Sequence, residues 1–349
     1  MKSYIEASEL PVFEIGGVRV PRLILGNLPF LGESYQGPEK NRVYAQRFSK
    51  VEVTTKLLKE AIAQHGLTAI SVMPPGMGPL SRLFFQALEA VSKETGVEPG
   101  LIACFMIPLR IGSKSVDDYR RWITYHSIEA ARDKAVAEKY LTDPILLCRE
   151  GWSEKFPVAL ANLRPYSSEE IRDLTYDRSR LEEVLHPLKE YRVLLIEAGS
   201  ETDFLALTGR TDLLQEIIDQ ARDYLGCPAV VGVHHAGSTI PIIEDSRVGV
   251  EGYVTPVNSL GALMLPNKEK ALEAIRSRNH PIIAIKPMAG GRVPPEKAFN
   301  FVFGDVGADA CMIGVASEEE LDIDVREARR ALLRRGGLAW GKPNQMDSM

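Results

Sequence analysis

Short apolar runs alternate with amphipathic stretches along most of the chain. Eight runs have the continuous apolar character of strands buried on both faces: 22–27, 68–73, 100–108, 193–199, 229–237, 251–258, 281–287 and 308–315. Between them, apolar residues recur at helical spacing over 53–64, 80–93, 211–225, 267–278, 295–303 and 318–335. Eight strands that alternate with helices predict a parallel (β/α)8 TIM barrel.

Three stretches depart from this alternation. The segment 14–20, EIGGVRV, predicts a hairpin that closes the bottom of the barrel. The polar segment 28–50 predicts a long loop of the kind that forms lids or binding loops. Between 110 and 165 one charged helix over about 115–140 is followed by no clear period. We interpret 110–165 as an insertion after the third strand of a single barrel domain, 1–349, and expect its aromatic residues to form a small core or a subunit contact.

Composition and charge narrow the class of protein. The 349 residues are 45% hydrophobic, which suffices for one large barrel core, and 47 acidic against 42 basic residues give a net charge of −5 without a basic block. These values argue against a nucleic-acid surface. The N-terminus has no apolar signal core, and no stretch resembles a membrane span, so we predict a soluble, cytoplasmic protein. We also expect the tail 336–349 to be loosely ordered.

The cysteines carry a further expectation about the compartment. Cys104, Cys148, Cys227 and Cys311 are far apart and form no C-x-x-C pair. They are therefore interpreted as buried thiols in a reducing environment.

Candidate chemistry follows the apolar runs. Lys286 comes directly after 282–285, and the pair Gly290 and Gly291 follows it. Histidine and asparagine end two other runs, at His234 and Asn258. Because parallel strands bring their carboxyl ends together, we expect Lys286, His234 and Asn258 to converge on one pocket with the glycines on its rim.

Lys286 supports two interpretations. A lysine among apolar neighbours has a lowered pKa and can form a Schiff base with a carbonyl substrate. Alternatively, it binds an anion.

Four motifs of the carboxyl-terminal half resemble the aldo/keto reductase superfamily. They are GVHHAG at 232–237, VNSL at 257–260, KPMAGGR at 286–292 and IGVASEEELDIDV at 313–325. The resemblance implies an aldo/keto reductase type of barrel and an oxidoreductase. It also implies that a dinucleotide diphosphate would be held by the loop after the seventh strand and the start of the last helix, at Gly290, Gly291, Arg292, Gly314 and Ser317.

Alignment with the family also addresses side-chain direction. It turns His234 toward the barrel axis and leaves His235 to pack under the helices. It turns Ala198 inward, which would send Glu197 toward a helix, so either the register slips by one residue or Glu197 pairs with an arginine. If Glu197 and His234 both face inward, they could bind a divalent metal or act as an acid/base pair.

The family's catalytic Asp-Tyr-Lys-His tetrad has no counterpart at the matching positions. Ser71, Met106 and Ala198 stand near the aspartate, lysine and histidine positions, and the loop PPGMGP has no tyrosine. Tyr35 or Tyr44 could reach the mouth instead.

The cofactor expected from the resemblance depends on the last helix. The acidic run 318–320 at its start disfavours the 2′-phosphate of NADP, which leaves NAD(H) open as the cofactor. A divalent metal is not excluded by these residues, but no metal-ligand set is predicted.

The sequence therefore favours an enzyme that acts on a small carbonyl or phosphorylated metabolite, with oxidoreductase as the leading class. The alternatives are a lyase or isomerase that uses Lys286, or Glu197 with His234, and a non-catalytic binding barrel. The expected partner is a small-molecule substrate, and a homo-oligomer is left open.

Overall fold

A computed structural model describes residues 10–76, 78–133 and 135–336. Its centre is a closed barrel of eight parallel strands, as predicted. The barrel strands are β3 (Leu23–Gly26), β4 (Ala69–Val72), β5 (Gly100–Phe105), β9 (Val193–Ala198), β10 (Ala229–Gly232), β11 (Tyr253–Pro256), β12 (Ile282–Ile285) and β13 (Ala310–Ile313). They follow chain order around the barrel, and β13 closes on β3. Apart from Gly336, the tail expected to be loosely ordered lies outside the described residues.

Helices surround the barrel. They are α1 (Pro38–Arg47), α2 (Val51–Ala63), α3 (Pro79–Thr95), α4 (Asp118–Ala130), α5 (Ala135–Thr142), α6 (Trp152–Asn162), α7 (Ser168–Arg172), α8 (Arg178–Leu185), α9 (Glu201–Leu207), α10 (Thr211–Leu225), α11 (Ala236–Ser246), α12 (Lys268–Ser277), α13 (Pro295–Phe299) and α14 (Glu318–Gly336). Amphipathic spacing explains their packing. In α10, for example, Leu213, Leu214, Ile217 and Ile218 are all buried on one face.

Strand alternation divides the core into two clusters. Side chains of one phase fill the barrel interior: Ile24, Ala69, Ile102, Leu195, Val230, Val254, Ile283 and Ala310. Side chains of the other phase, such as Ile196 and Ala198, belong to the larger cluster that also holds the apolar faces of the helices. On each strand, the side chain two residues after the interior layer points the same way and therefore faces the carboxyl-end mouth of the barrel.

The amino-terminal hairpin closes the opposite end. Strands β1 (Val12–Ile15) and β2 (Val18–Pro21) pair antiparallel around Gly16 and Gly17, which both have positive φ. Ile15 and Val20 pack with the interior side chains of the barrel. The predicted hairpin is present, and ligand access is left to the carboxyl-end mouth.

Two sequence expectations need correction. The stretch 28–50 is not a plain loop, because it holds a 3₁₀ helix, Leu28–Leu31, and α1. Helix α1 buries only Tyr44, so its apolar signal in the sequence is weak. The predicted long helix at about 115–140 is two helices, α4, which ends at Ala130, and α5, which begins at Ala135.

Between β5 and β9 the chain leaves the barrel. Strands β6 (Leu109–Ile111), β7 (Lys114–Ser115) and β8 (Leu174–Tyr176) form a separate antiparallel sheet, and α4 to α6 stack against each other. Aromatic side chains join these helices, with Trp152 stacked on Phe156 and edge-on to Trp122. That residues 110–165 are an insertion relative to other barrels stays a prediction.

The sequence predicts no membrane-spanning segment, and the length and polarity of the helices bear on this prediction. Among the described residues, the structure has no helix that is both long and apolar enough to span a bilayer.

Candidate active site

A cavity of about 1050 Å³ opens at the carboxyl ends of the barrel strands. This volume is at the upper end of the range of ligand pockets. Its wall includes Lys286, His234, Glu197, Gly290 and Gly291, so most of the predicted site residues share one space.

Glu197 points into the barrel mouth, which corrects the alignment that turned Ala198 inward. Glu197 is in phase with Leu195 of the interior cluster, whereas Ala198 packs outward. Its carboxylate lies over β10, because a Cβ atom on Gly232 would come within 2.7 Å of Glu197 Oε1. The absence of a side chain at Gly232 therefore makes room for this carboxylate.

Burial changes the acidity of Glu197. The side chain is only 7% exposed. Desolvation raises its pKa to about 7, against the opposing effects of a hydrogen bond from the Cys104 thiol and the charge of Lys286. The carboxyl group can thus hold or release a proton near neutral pH.

Lys286 lies directly after β12 and within electrostatic reach of Glu197. Desolvation lowers the pKa of its amine to about 8, although the nearby Glu197, Cys104 and Glu33 act in the opposite direction. An amine of this kind is partly neutral just above physiological pH, whereas an ordinary lysine is almost wholly charged.

Backbone strain is concentrated at the same place. Lys286 has φ +55° and Tyr35 has φ +56°, values that non-glycine residues rarely adopt. The two side chains meet, with Lys286 Nζ 4.7 Å from the centre of the Tyr35 ring. The loop before α1 therefore brings Tyr35 over the predicted lysine, and burial raises the pKa of its hydroxyl.

The two histidines after β10 have different surroundings. His234 lines the cavity, and desolvation together with the charge of Lys286 holds its pKa well below the usual value. It is therefore neutral at physiological pH. His235 is buried outside the barrel, with Nδ1 3.0 Å from Glu129 of α4.

Asn258 and Ser317 do not line the cavity. The Asn258 amide donates to Ala262 O at 2.9 Å and accepts from Ala262 N at 2.8 Å, so it closes its own loop. The expected convergence of Asn258 with Lys286 and His234 is wrong for this reason. Ser317 Oγ accepts from Glu320 N at 3.1 Å and caps α14 on the outer surface.

Arg292 lies on the cavity wall, but its guanidinium already has partners in the protein. It donates to the carbonyl oxygens of Tyr35 at 3.0 Å, Ala289 at 2.9 Å and Pro144 at 3.2 Å. These bonds tie the Tyr35 loop and the 110–165 segment to the loop after β12. Arg292 thus contributes to the shape of the rim.

The glycine positions approach neighbouring elements closely. Gly290 and Gly291 have φ of +68° and +78°, and a Cβ on Gly290 would come within 2.5 Å of Tyr35 O. A Cβ on Gly314 would come within 2.8 Å of Pro29. No side chain fits at Gly290 or Gly314 without a shift of the 3₁₀ segment or of the loop that follows it.

Acidic groups lie on the same side of the cavity as these glycines. Glu320 accepts from Ala316 N at 2.7 Å and so occupies the amino end of α14. Asp324 is 5% exposed, and burial raises its pKa to about 7.

Two cysteines differ from the expectation of buried thiols. Cys227 and Cys311 are buried, but Cys104 and Cys148 are partly exposed. Cys104 lies two residues after Ile102 of the interior cluster, so its side chain faces the mouth of the barrel. Ser71 and Met106 also line the cavity there.

Other wall residues were not predicted to be functional. Arg121 of α4 and Arg149, after the 3₁₀ helix Leu146–Cys148, both line the cavity. No motif marks them, because only the folding of the 110–165 segment against the barrel brings them there. The two suggested tyrosines, Tyr35 and Tyr44, also line the cavity.

A metal site is not apparent in this group. Among the described residues, the one set of three metal-type ligands close enough to share an ion is Glu60, His65 and Asp322, remote from Glu197 and His234.

Comparison with solved structures identifies the fold. Two structures of a Pseudomonas aeruginosa protein assigned to the aldo-keto reductases align with 94% and 95% of this chain and with 99% and 100% of theirs. Both have a TM-score of 0.54, at 15% and 16% identity. The fold is an aldo-keto reductase barrel. No protein-family model and no curated protein matches the sequence. At this identity the likeness concerns architecture, and the chemistry must be argued from the site.

Proposed function

We propose that this chain is an oxidoreductase that interconverts a small carbonyl compound and its alcohol, with Glu197 and Lys286 in place of the usual tetrad. The observation that carries the proposal is the presence of a buried carboxyl group and a half-buried amine in one large cavity, with pKa values moved to about 7 and about 8. Groups tuned toward neutral pH in a cleft are typical of catalytic acids and bases.

Each group has a distinct role in carbonyl reduction. The carboxyl of Glu197 donates a proton to the carbonyl oxygen as the carbon is reduced, and in the reverse direction its carboxylate accepts the alcohol proton. The Lys286 ammonium stabilises negative charge on that oxygen. The Cys104 thiol, which hydrogen-bonds to Glu197, and the strained Tyr35 loop hold the pair in place.

The residues present fit a nicotinamide dinucleotide in shape. A cavity of about 1050 Å³ has room beyond a small carbonyl compound, and it extends to the Gly290–Gly291 turn. When bound, a nicotinamide would supply or accept the hydride at the carbonyl carbon. Glu320 and Asp324 favour NAD(H) over NADP(H), because a 2′-phosphate near α14 would meet negative charge.

Titration calorimetry with NADH and NADPH tests this proposal, followed by reduction of a panel of small aldehydes and ketones. We expect NADH to bind at least tenfold more tightly than NADPH and to support turnover. Failure of both nucleotides to bind would overturn the oxidoreductase assignment.

The lowered pKa of Lys286 favours a second candidate, a lyase or isomerase in which the neutral amine forms a Schiff base with the carbonyl carbon. In that reaction Glu197 would donate the proton with which the carbonyl oxygen leaves as water. Borohydride trapping distinguishes the two candidates, since a reduced adduct at Lys286 formed without nucleotide is expected only for the second.

A further inference from the structure

The cavity wall opposite the acidic start of α14 is rich in arginine. Four arginines line this part: Arg110, Arg121, Arg149 and Arg180. In the chain between β5 and β9 they outnumber the two acidic wall residues, Asp118 and Asp177, while Glu197 and Glu201 lie at the end of β9 and in α9. Most of these charges come from the chain between β5 and β9, and not from the barrel strands.

Arg149 is held in place by its neighbours and still has N–H donors that a ligand can use. Its guanidinium lies 5.1 Å from the Trp122 ring and 5.0 Å from the Trp152 ring, and Nη2 donates to Asp118 at 2.8 Å. Among hydrogen bonds between described residues, this is its one side-chain bond to a carboxylate. The remaining N–H groups of a pre-ordered, planar guanidinium suit an oxyanion.

Arg121 plays a supporting part. It bridges Glu201 at 2.5 Å and Asp118 at 2.6 Å, so its charge is compensated within the protein. The bridge fixes Asp118, which in turn holds Arg149. Arg149 and Arg180 both keep donors available, since Arg180 has one side-chain bond among the described residues, to Glu183 at 2.9 Å. The two differ in their position relative to the reacting groups.

Arg149 also lies near the reacting groups. Arg292 donates to Cys148 Sγ at 3.3 Å and to Tyr35 O at 3.0 Å, so the residue before Arg149 is joined to the loop whose Tyr35 ring lies over Lys286. The charge of Arg149 also contributes to the low pKa of His234 and opposes the rise at Tyr35. Because both residues line one cavity, one small molecule can place an anionic group at Arg149 and a carbonyl group at Lys286.

We propose that Arg149 binds a carboxylate or phosphate group of the substrate, and that the substrate is therefore a small anionic carbonyl compound. This inference rests on the proposed function for the position of the carbonyl group. The competing explanation is that Arg149 has a purely structural role and only connects Asp118 with the two tryptophans.

Calorimetric titration without nicotinamide separates the two explanations. The probes are two matched pairs, pyruvate with methyl pyruvate and glyceraldehyde 3-phosphate with glyceraldehyde. We expect the wild-type protein to prefer the anionic member of one pair at least tenfold, and the pair that shows the preference identifies carboxylate or phosphate. Arg149→Gln should lower the affinity for that anion about 10- to 100-fold and leave the neutral member unchanged.

Two further variants make the result interpretable. Arg149→Lys keeps the charge but loses the planar fork, so an intermediate affinity is expected. Arg132→Gln removes an exposed charge from the same segment and should change neither affinity. The proposal is overturned if neither pair shows a preference, if the preference survives in Arg149→Gln, or if Arg132→Gln reduces it equally. Since no turnover is measured, anion binding can stand even if the oxidoreductase assignment fails.

Discussion

The two sides of the cavity are built in different ways. The β12–β13 side takes Lys286, Gly290, Gly291 and Gly314 from positions directly after strands, in short motifs. The opposite side joins Glu197 at the end of β9 to residues of the intervening segment, such as Arg149. The reacting pair, Lys286 and Glu197, takes one member from each side, and both members lie at the ends of barrel strands. The surrounding arginines come from a part of the chain that no local motif identifies.

The two sides also differ in charge. The start of α14 presents Glu320 and Asp324, whereas the segment after β5 presents an excess of arginine. A ligand that spans the cavity would therefore be oriented, with its anionic group away from α14. The variants below test whether each side has the role assigned to it.

The largest effect is expected at the reacting pair. Glu197→Gln removes the proton donor and should lower kcat for carbonyl reduction about 10²- to 10⁴-fold, with KM little changed. Lys286→Met should cause a loss of about 10²- to 10³-fold, because the charge on the oxygen is no longer stabilised. Steady-state kinetics measure both. If one variant keeps full activity, the two sides do not act together.

The next effect concerns how the segment after β5 is attached to the barrel. Glu129 is 3% exposed and accepts bonds from Tyr140 at 2.5 Å and Ser238 at 2.8 Å, besides its contact with His235. Its pKa is lowered and that of His235 is raised, as expected for an ion pair. Glu129→Gln removes the carboxylate that accepts from these buried donors and should cost about 2–3 kcal/mol in the free energy of unfolding.

Urea denaturation measures that cost. Glu138→Gln, on the exposed face of α5, is the control and should change stability by less than about 0.5 kcal/mol. Equal stabilities of the two variants would show that the Glu129–His235 contact does not anchor the segment.

The smallest effect belongs to the acidic side. Burial raises the folded-state pKa of Asp324 to about 7, above the ordinary value, so ionisation destabilises the fold as pH rises from about 4 through 7. Asp324→Asn should therefore stabilise the protein by about 1–3 kcal/mol at pH 8 and change little at pH 4. Urea midpoints at the two pH values measure this, and a benefit that is larger at pH 4 would contradict the assignment.

Sequence reasoning succeeded where the signal is local. Continuous apolar runs located all the barrel strands, and the residues after the seventh run placed Lys286 and the glycine pair at the mouth. The direction in which each strand side chain points was harder to predict. The pairing of β5 with β9 shifts between Leu101 and Ile102. Alignment with the family turned Ala198 inward, where the structure has Glu197. A one-residue shift exchanges the two faces of a strand.

Other features depended on contacts that no pattern encodes. Asn258 has the position of a site residue, but it bonds to Ala262 in its own loop. Arg149 has no motif, and its position depends on the packing of two tryptophans and Asp118. Tertiary packing, and not spacing along the chain, determines both outcomes.

The pH dependence of NADH-driven carbonyl reduction tests the central claim most directly. Reduction requires protonated Glu197, whose pKa is raised to about 7, and charged Lys286, whose pKa is lowered to about 8. The rate should therefore be constant below about pH 7 and fall above it, and the step near pH 7 should be absent from the residual activity of Glu197→Gln. A rate that rises between pH 7 and 9, or a step that persists in Glu197→Gln, would contradict the assignment of Glu197 as the proton donor.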